Sequence, residues 1–394
     1  MNPLPPRLHS LDALRASMML LGLVLHSAVS YLVTPLAPAW PYKDPSTSIA
    51  FDVLVFFIHL FRMPVFFVVA GLFAAMLYER DGTAGFVRNR IRRVFVPLVI
   101  FWAVMMPLTG YGFVFTARQS GGPMPWEYMT DAPMWRQPIL GHLWFLYYLL
   151  LFYAAALVIV PLTGRAPIAA RDGVHRVFRA IATKWWGPVA AGLITVLTLI
   201  PMTAPGLDTE AALVPPVRVL VAYGVFFGFG WLLFRQRDLI ECVGRRWATP
   251  LVAGVAVALA YSVVVLQAAR FENARVWHVT GVTLAGLATW LLIFGMIGWF
   301  VQRLSAPRPI VRYMSDASYW MYLTHLAPVA WLPGVFAHLA VPAVVKFFLV
   351  FGLTTAITVV SYHYLVRSTA IGELLNGRRY PRLPVTRSAA PRPA

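Results

Sequence analysis

Ionisable side chains lie inside long apolar segments of this chain, where burial makes them chemically informative. The first such segment contains Arg15 and, after ten intervening residues, His26. The second contains His59 and Arg62, and a segment near the C-terminal end contains His325. Such groups cost several kcal/mol in hydrocarbon and mostly serve proton relays, substrate pathways or ion pairs. The pattern predicts a functional site within the apolar part of the chain, with His26 as its first candidate.

The composition indicates an integral membrane protein. Only 12% of the 394 residues are charged and 59% are hydrophobic, whereas a soluble domain carries about 25% charged residues. The first apolar run is too long for a signal-peptide core, so it predicts a retained transmembrane helix. Cys242 is the only cysteine, which excludes an internal disulfide and a CxxC metal site. The chain has no HExxH, GxSxG or Walker motif, so we expect no metal site, serine-hydrolase elbow or nucleotide-hydrolysing loop.

Ten apolar runs predict an all-α polytopic membrane protein, because each crossing needs about 20 apolar residues. One transmembrane domain is expected over residues 1–367, with bends at Pro64 and Pro328 in its long second and ninth spans. Ten crossings place both termini on the same side of the membrane. The predicted spans are 13–34, 50–78, 94–115, 140–163, 184–202, 215–235, 247–267, 276–302, 311–337 and 342–366.

The distribution of basic residues predicts the orientation. Most of the 33 Lys and Arg residues fall in the N-terminal segment, in alternate loops and after the last span. Such segments face the cytoplasm, so both termini are expected there. This bias accounts for the net charge of +18, and a nucleic-acid partner is not expected. The Pro- and Arg-rich residues 368–394 predict a disordered cytoplasmic tail.

The topology places several of the ionisable residues at one depth. His26 lies about 13 residues, or roughly 20 Å, along the outward-running first helix, and His325 has nearly the same depth on the ninth. His59 and Arg62 share a face of the second helix, and His142 begins the fourth helix at the outer surface. Four histidines and an arginine thus share one stratum. Sequence leaves open whether they face one cavity.

Structural alternatives exist for each of these residues. A single intramembrane histidine can simply form a hydrogen bond with a neighbouring helix. Arg62 can pair with an acid, although its mid-helix position is far from either interface for snorkelling. Asp12 and Arg15, three residues apart at a helix start, can be an acid with a neighbouring cation.

Polar and aromatic residues outside this stratum have two interpretations each. The basic run that includes Arg90 and Arg93 suits cytoplasmic anchoring and also phosphate capture. For the tryptophans on the outer side, an interfacial belt is favoured over stacking on sugar rings. Asp44, on an outer loop, is expected to be solvated. The tryptophans concerned are Trp40, Trp126, Trp135 and Trp144.

Together these residues resemble the acyltransferase-3 superfamily of membrane O-acyltransferases, from the first helix to the tenth. The runs HLFRM at 59–63 and GHLWFL at 141–146 are most similar to the succinyltransferases of osmoregulated periplasmic glucans. Ala70 departs from the serine that many members have before the glycine. The remaining motifs are LDALR at 11–15 followed by His26, RMPVFF at 62–67 closing on Ala70-Gly71, Arg90 and Arg93 before Pro97, and SYWMYLTH at 318–325.

The resemblance implies roles for the residues in the apolar stratum. His26 would be the general base that takes the proton of a sugar hydroxyl. Arg62 and His325 would orient this base or stabilise charge on the thioester oxygen. His59 and His142 are candidates for binding the donor or the acceptor.

The resemblance also implies the substrates. Acyl-CoA, as succinyl-CoA or acetyl-CoA, would be a cytoplasmic co-substrate, and no tightly bound cofactor is expected. Arg90 and Arg93 would hold the CoA phosphates, while Asp12 and Arg15 would brace the first helix or touch the donor. The expected partners are membrane lipid, periplasmic glucan and other glucan-synthesis proteins, in the bacterial inner membrane.

Two other functions are compatible with the same sequence features. An O-acetyltransferase of another envelope sugar would use the same residues. A transporter or flippase of an anionic or sugar-linked substrate would also need intramembrane histidine and arginine. Secondary transporters often show two related halves, and the absence of an internal repeat favours an enzyme.

Overall fold

A computed structural model describes residues 9–37, 39–128, 131 and 133–380, and these residues form helices without any β-strand. The all-α prediction is confirmed. Two short π-helical stretches, Ile91–Phe95 and Tyr362–Val366, continue longer helices. The α-helices are α1 (His9–Val29), α2 (Ile49–Arg90), α3 (Val96–Ser120), α4 (Trp144–Gly164), α5 (Ile168–Thr183), α6 (Gly187–Leu199), α7 (Val217–Arg235), α8 (Asp238–Arg245), α9 (Ala248–Leu266), α10 (Ala274–Arg303), α11 (Pro309–Thr324), α12 (Leu326–Val335), α13 (Ala343–Ser361) and α14 (Ala370–Asn376).

Seven helical stretches in the described part of the chain are long and apolar enough to cross a membrane. An eighth is obtained if α5 and α6, which meet at a bend of 118°, form one span. Each of the ten predicted ranges contains helix, but α2 and α3 run on as one 72-residue stretch, and α11 and α12 are individually short. The number of crossings and the side of the termini therefore stay predictions.

Helix α2 is interrupted at Gly82 and the ninth predicted span at His325, and bends of the helix axis at Pro64 and Pro328 stay predictions. Helix α2 continues through Pro64 and loses helical geometry at Gly82, where φ is 66° and ψ is −176°. The ninth predicted span is interrupted at His325, between α11 and α12. Because Pro328 has no N–H, the carbonyl of Thr324 loses its usual helical donor, and the interruption lies next to that carbonyl.

The π-helical stretch between α2 and α3 is explained by Pro97. Because proline has no N–H, the carbonyl of Arg93 loses its usual helical donor. That carbonyl instead accepts a hydrogen bond of 2.9 Å from the Tyr319 hydroxyl. The backbone N–H of Val96 reaches back five residues to Ile91. The SYWMYLTH motif on α11 is thereby fixed to the basic segment that precedes α3.

Two basic segments that were predicted to lack secondary structure contain helices. Helix α5 lies within a stretch predicted as an Arg-rich loop. Helix α14 lies within the stretch predicted as a disordered tail, and Tyr380 donates its backbone N–H to Arg367. Residues 381–394, the rest of that tail, lie outside the described residues.

Glycines allow α2 and α7 to pack closely. A Cβ atom placed on Gly71 would come 2.0 Å from the carbonyl oxygen of Phe227. A Cβ on Gly230 would come 1.8 Å from the carbonyl oxygen of Val68. Small residues at helix crossings are a common means of close packing in membrane proteins. This crossing holds α2, which carries Arg62, in its position.

Substitution of Gly230 by alanine should lower the free energy of unfolding by about 1–3 kcal/mol, because the added methyl group overpacks the crossing. The measurement is thermal unfolding of the purified protein in detergent. Gly228→Ala is the matched control, since nothing lies within 4 Å of a Cβ at that position. Equal unfolding temperatures for the two variants would contradict the packing described.

Candidate active site

His26 on α1 and His325 between α11 and α12 are in direct contact. Their atoms Nδ1 and Nε2, respectively, are 2.7 Å apart. The ring planes are nearly parallel, with an angle of 8° and centroids 5.0 Å apart. His325 is 1% exposed and His26 is half-buried. The structure thus brings together two histidines that are 299 residues apart in the sequence.

The hydrogen bonds of His325 determine the tautomers of both rings. Its Nδ1 lies 2.8 Å from the carbonyl oxygen of Tyr322 and 3.1 Å from that of Met321. A carbonyl only accepts, so Nδ1 of His325 carries the proton and Nε2 of a neutral ring is an acceptor. His26 therefore donates its Nδ1–H to His325. The remaining nitrogen of a neutral His26 ring, Nε2, is an unprotonated base.

Arg62 on α2 is a buried cation beside this pair. It is 8% exposed, and its Nε has no hydrogen-bond partner. In the described part of the chain, no carboxylate lies within 4.0 Å of its guanidinium. A Cβ on Gly22 would come 2.4 Å from Nη1 of Arg62, so the glycine one turn before His26 makes room for the cation. The Arg62 charge acts on both histidines of the pair.

His142, just before α4, completes the group. Its ring is perpendicular to that of His325, at 83° and 5.2 Å between centroids. Its Nε2 lies 3.2 Å from the carbonyl oxygen of Leu323 and therefore carries the proton. Nδ1 is buried without a hydrogen-bond partner. The backbone carbonyl of His142 accepts a bond of 2.8 Å from the Tyr322 hydroxyl, which joins α4 to α11.

His59 shares the predicted depth but has different contacts. Its Nε2 lies 3.3 Å from the carbonyl oxygen of Leu207 and 3.4 Å from Oγ1 of Thr209. Both partners belong to the segment between α6 and α7. His59 is therefore directed towards this loop, and its hydrogen bonds are separate from the His26–His325 pair. Within the described residues, no group of three His, Cys, Asp or Glu side chains is arranged to hold a metal ion.

The segment between α1 and α2 covers His26. The Trp40 ring lies over the imidazole, with an interplanar angle of 16° and 6.0 Å between centroids. Its Nε1 donates a bond of 3.0 Å to Oγ of Ser30, and the Phe113 ring forms a T-shaped contact with it. Trp40 is 9% exposed. The belt interpretation is wrong for this tryptophan, which is part of the site.

Trp144 is also buried, whereas the two remaining tryptophans of the set are exposed. Trp144 is 5% exposed and packs against Phe67 and Tyr148. Trp126 and Trp135 are 55% and 54% exposed, as an interfacial position requires.

A buried ion pair fixes the segment that carries Trp40. The Asp44 carboxylate lies 2.9 Å from Nζ of Lys346 on α13, and their side chains are 0% and 4% exposed. The Tyr42 hydroxyl and the Ser46 N–H also donate to this carboxylate. Burial and the Asp44 charge raise the pKa of the Tyr42 phenol, which keeps it a donor. The expectation of a solvated Asp44 is wrong.

A second buried acid holds the beginning of the same segment. Asp52, which is 0% exposed, accepts the backbone N–H groups of Val33 and Thr34 at 2.8 and 2.9 Å. Its position in the first turn of α2 is also favourable for a carboxylate. Asp52 was not among the residues predicted from the sequence pattern. It could have been predicted from its sequence position, because it is an acidic residue at the start of a helix that follows a polar loop.

Replacement of Lys346 by methionine should lower the free energy of unfolding by about 3–5 kcal/mol, because it leaves a buried carboxylate without its cation. Thermal unfolding in detergent provides the measurement. The double variant Asp44→Asn, Lys346→Met removes both charges and should recover part of the loss. A single variant as stable as the wild type would show that the pair does not hold the segment.

Asp12 and Arg15 lie at the opposite end of α1 from His26. Their side chains are 3.5 Å apart, and the Arg15 guanidinium is 5.8 Å from the centre of the Phe73 ring. The Ser315 hydroxyl donates to the carbonyl oxygen of Asp12 at 3.2 Å. These contacts brace α1 against α2 and α11. The structure does not bring this pair into contact with the His26–His325 pair.

Arg90 and Arg93 flank the junction of α2 and α3. The Arg90 guanidinium lies over the rings of Phe86 and Tyr153, 5.3 and 4.7 Å from their centres, and its Nε is buried without a partner. The Arg93 guanidinium lies against Gly377, where a Cβ would overlap it. Arg15 and Arg90 both act electrostatically on Tyr319. The basic cluster therefore meets α1 and α11 at the end of the bundle away from His26.

A family model described as an acyltransferase domain matches residues 8–363. The chain belongs to the acyltransferase-3 family. The resemblance predicted from the motifs is confirmed, and the His26–His325 pair, Arg62 and His142 all lie within the matched residues. No solved structure matches the chain.

Curated relatives carry a more specific name over a shorter region. Glucans biosynthesis protein C of Escherichia coli strain K12 and that of Shigella dysenteriae serotype 1 are each 32% identical over 154 residues. The protein of the same name from Escherichia coli O6:K15:H31 is 31% identical over 152 residues. Each alignment covers 37% of this chain and 37% of the relative, so the chain matches little more than a third of their length.

Proposed function

We propose that this chain transfers an acyl group, most simply succinyl, from acyl-CoA to a hydroxyl of periplasmic glucan, with His26 as the general base. The observation that carries the proposal is the hydrogen-bond chain from Tyr322 through His325 to His26. This chain leaves Nε2 of His26 unprotonated beside a buried cation. Family membership supports acyl transfer, and the relatives' name supports glucan as the acceptor.

The reaction follows from these groups. The sugar hydroxyl oxygen attacks the thioester carbonyl carbon while Nε2 of His26 takes the hydroxyl proton. His325 accepts the opposite N–H of the ring and holds it in the required tautomer. Collapse of the tetrahedral intermediate breaks the C–S bond, and the imidazolium returns the proton to the CoA sulfur. The products are a sugar ester and free CoA.

Arg62 stabilises the negative charge that develops on the thioester oxygen. A cation in a water-poor site and without a carboxylate partner acts most strongly on such charge. The unpartnered Nδ1 of His142 accepts a hydrogen bond from a donor group of the bound substrates. Trp40 supplies an apolar surface next to His26 on which a sugar ring can stack.

The orientation of the bundle fits the two substrates. With both termini cytoplasmic, Arg15, Arg90 and Arg93 face the compartment that contains acyl-CoA, and the segment that carries Trp40 faces the periplasm. In the bacterial inner membrane, the thioester would reach His26 from within and the glucan would reach it from outside. Other glucan-synthesis proteins are candidate partners for delivery of the acceptor.

The proposal is tested by charge and mass analysis of periplasmic glucans from cells with the intact gene and from a deletion strain. We expect acylated glucans only in cells that contain the protein. Unchanged glucans in the deletion strain would overturn the acceptor assignment. Membranes supplied with labelled succinyl-CoA or acetyl-CoA separate the two donors, and acetyl transfer to another envelope sugar is the competing enzymatic outcome. Transfer from neither donor would favour a transporter.

A further inference from the structure

A cavity of about 200 Å³ opens where α1 and α11 begin, at the end of the bundle opposite to Trp40. Its polar lining consists of His9 and Asp12 on α1 together with Arg308, Arg312 and Ser315. The two arginines are one helical turn apart, and neither belongs to the motifs of the acyl-transfer site. The proposed function does not yet use this cavity.

The charges around the cavity favour an anion. In the part of the chain that the structure describes, no carboxylate lies within 4.0 Å of the guanidinium of Arg308 or Arg312. Pro309 lines the cavity and begins the 16-residue helix α11, so the positive end of the helix dipole adds to the two cations. Guanidinium groups bind phosphate oxygens through paired hydrogen bonds.

The cavity is separated from His26 by a distance that suits the length of a CoA thioester. Asp12 lines the cavity and His26 lies fourteen residues further along the same helix, a rise of about 21 Å. A CoA thioester carries its phosphorylated nucleotide at the far end of a long pantetheine arm. A nucleotide site must therefore be well separated from the base that acts at the thioester.

We propose that this cavity binds the 3′-phosphorylated ribose of the acyl-CoA donor through Arg308 and Arg312. The proposal rests on the proposed function, because it concerns the donor of that reaction. It adds a nucleotide site to the basic cluster of Arg15, Arg90 and Arg93. The Arg90 guanidinium is packed on two aromatic rings and Arg93 lies against Gly377, whereas Arg308 is exposed at the cavity.

The kinetic test uses Arg308→Gln, Arg312→Gln in membranes, with acyl-CoA and its 3′-dephospho analogue as donors. The double variant should raise KM for acyl-CoA at least about tenfold, since two charge-assisted hydrogen bonds to phosphate are lost, and leave kcat unchanged. With the dephospho donor, the variant and the wild type should have equal KM. Arg303→Gln is the matched control, because Arg303 ends α10 in the same basic loop but does not line the cavity.

Unchanged KM in the double variant, or the same increase with both donors, would overturn the inference. A KM increase that depends on the fraction of anionic lipid in the membrane would overturn it in favour of a lipid headgroup.

A binding measurement separates this inference from the proposed function. Adenosine 3′,5′-bisphosphate should bind the purified full-length protein and lose at least about tenfold in affinity in the double variant. Binding that depends on both arginines, in a protein that transfers no acyl group, would support the nucleotide site and overturn the proposed reaction. If the protein transfers acyl groups but its nucleotide binding does not depend on the arginines, the proposed reaction is supported and the nucleotide site is overturned.

Discussion

Acyl transfer by the His26→Ala variant should be slower than that of the wild type by about 10²–10⁴-fold in kcat, the range expected for loss of a general base. The structure gives the reason, because Nε2 of His26 is the nitrogen that the hydrogen-bond chain leaves unprotonated. KM for acyl-CoA should change little, since the proposed donor-binding arginines lie towards the other end of α1. Initial rates in membranes at matched protein levels provide the measurement.

His338→Ala is the control for this prediction. His338 is an exposed histidine after α12 and has no part in the His26–His325 pair, so its loss should leave the rate unchanged. A His26→Ala protein that is present at normal levels and keeps more than about a tenth of the rate would contradict the assignment of the base.

Arg62→Met should separate activity from stability. The rate should fall by about 10²–10³-fold, as expected when one donor to a developing oxyanion is removed. The unfolding temperature should stay equal or rise, because the guanidinium is a buried charge without a carboxylate within 4.0 Å in the described chain. Removal of such a charge relieves a desolvation cost. Initial rates and thermal unfolding in detergent are measured on the same preparation.

Arg275→Met, which replaces an exposed arginine at the start of α10, controls for the loss of a positive charge. It should change neither quantity. A sharp drop in the unfolding temperature of Arg62→Met would indicate that Arg62 is a structural residue. Full activity in that variant would remove it from the mechanism.

The helical class could be predicted because it depends on the length and polarity of segments. Apolar runs gave the approximate ranges of the helices, and counting along α1 placed His26 at the level of His325. His325 and Arg62, which were predicted to lie near His26, are next to it in the structure. His59, at the same predicted depth, is hydrogen-bonded to a different loop.

The direction in which each side chain points around its helix axis was not predictable, because the lipid-facing and the packed sides of these helices are both apolar. The pattern that shows the buried face of a soluble helix is therefore weak here. The roles of Trp40 and Asp44 escaped prediction for a related reason. Each depends on how the segment between α1 and α2 folds back, and the Asp44–Lys346 pair joins residues 302 positions apart.

The interruptions of the helices have both local and tertiary causes. Helix α2 continues through Pro64 and loses helical geometry at Gly82, where φ is positive. The π-helical stretch before α3 depends on both Pro97 and the hydroxyl of Tyr319, which donates to Arg93. Only the first of these two causes is local in the sequence.

The most direct test is transfer of a labelled acyl group by the purified protein in proteoliposomes, with acyl-CoA on one side and glucan on the other. We expect label to appear on glucan as an alkali-labile ester, and almost none with His26→Ala protein of the same unfolding temperature. Glucan that stays unlabelled with the wild-type protein, or is labelled equally by the variant, would contradict this expectation.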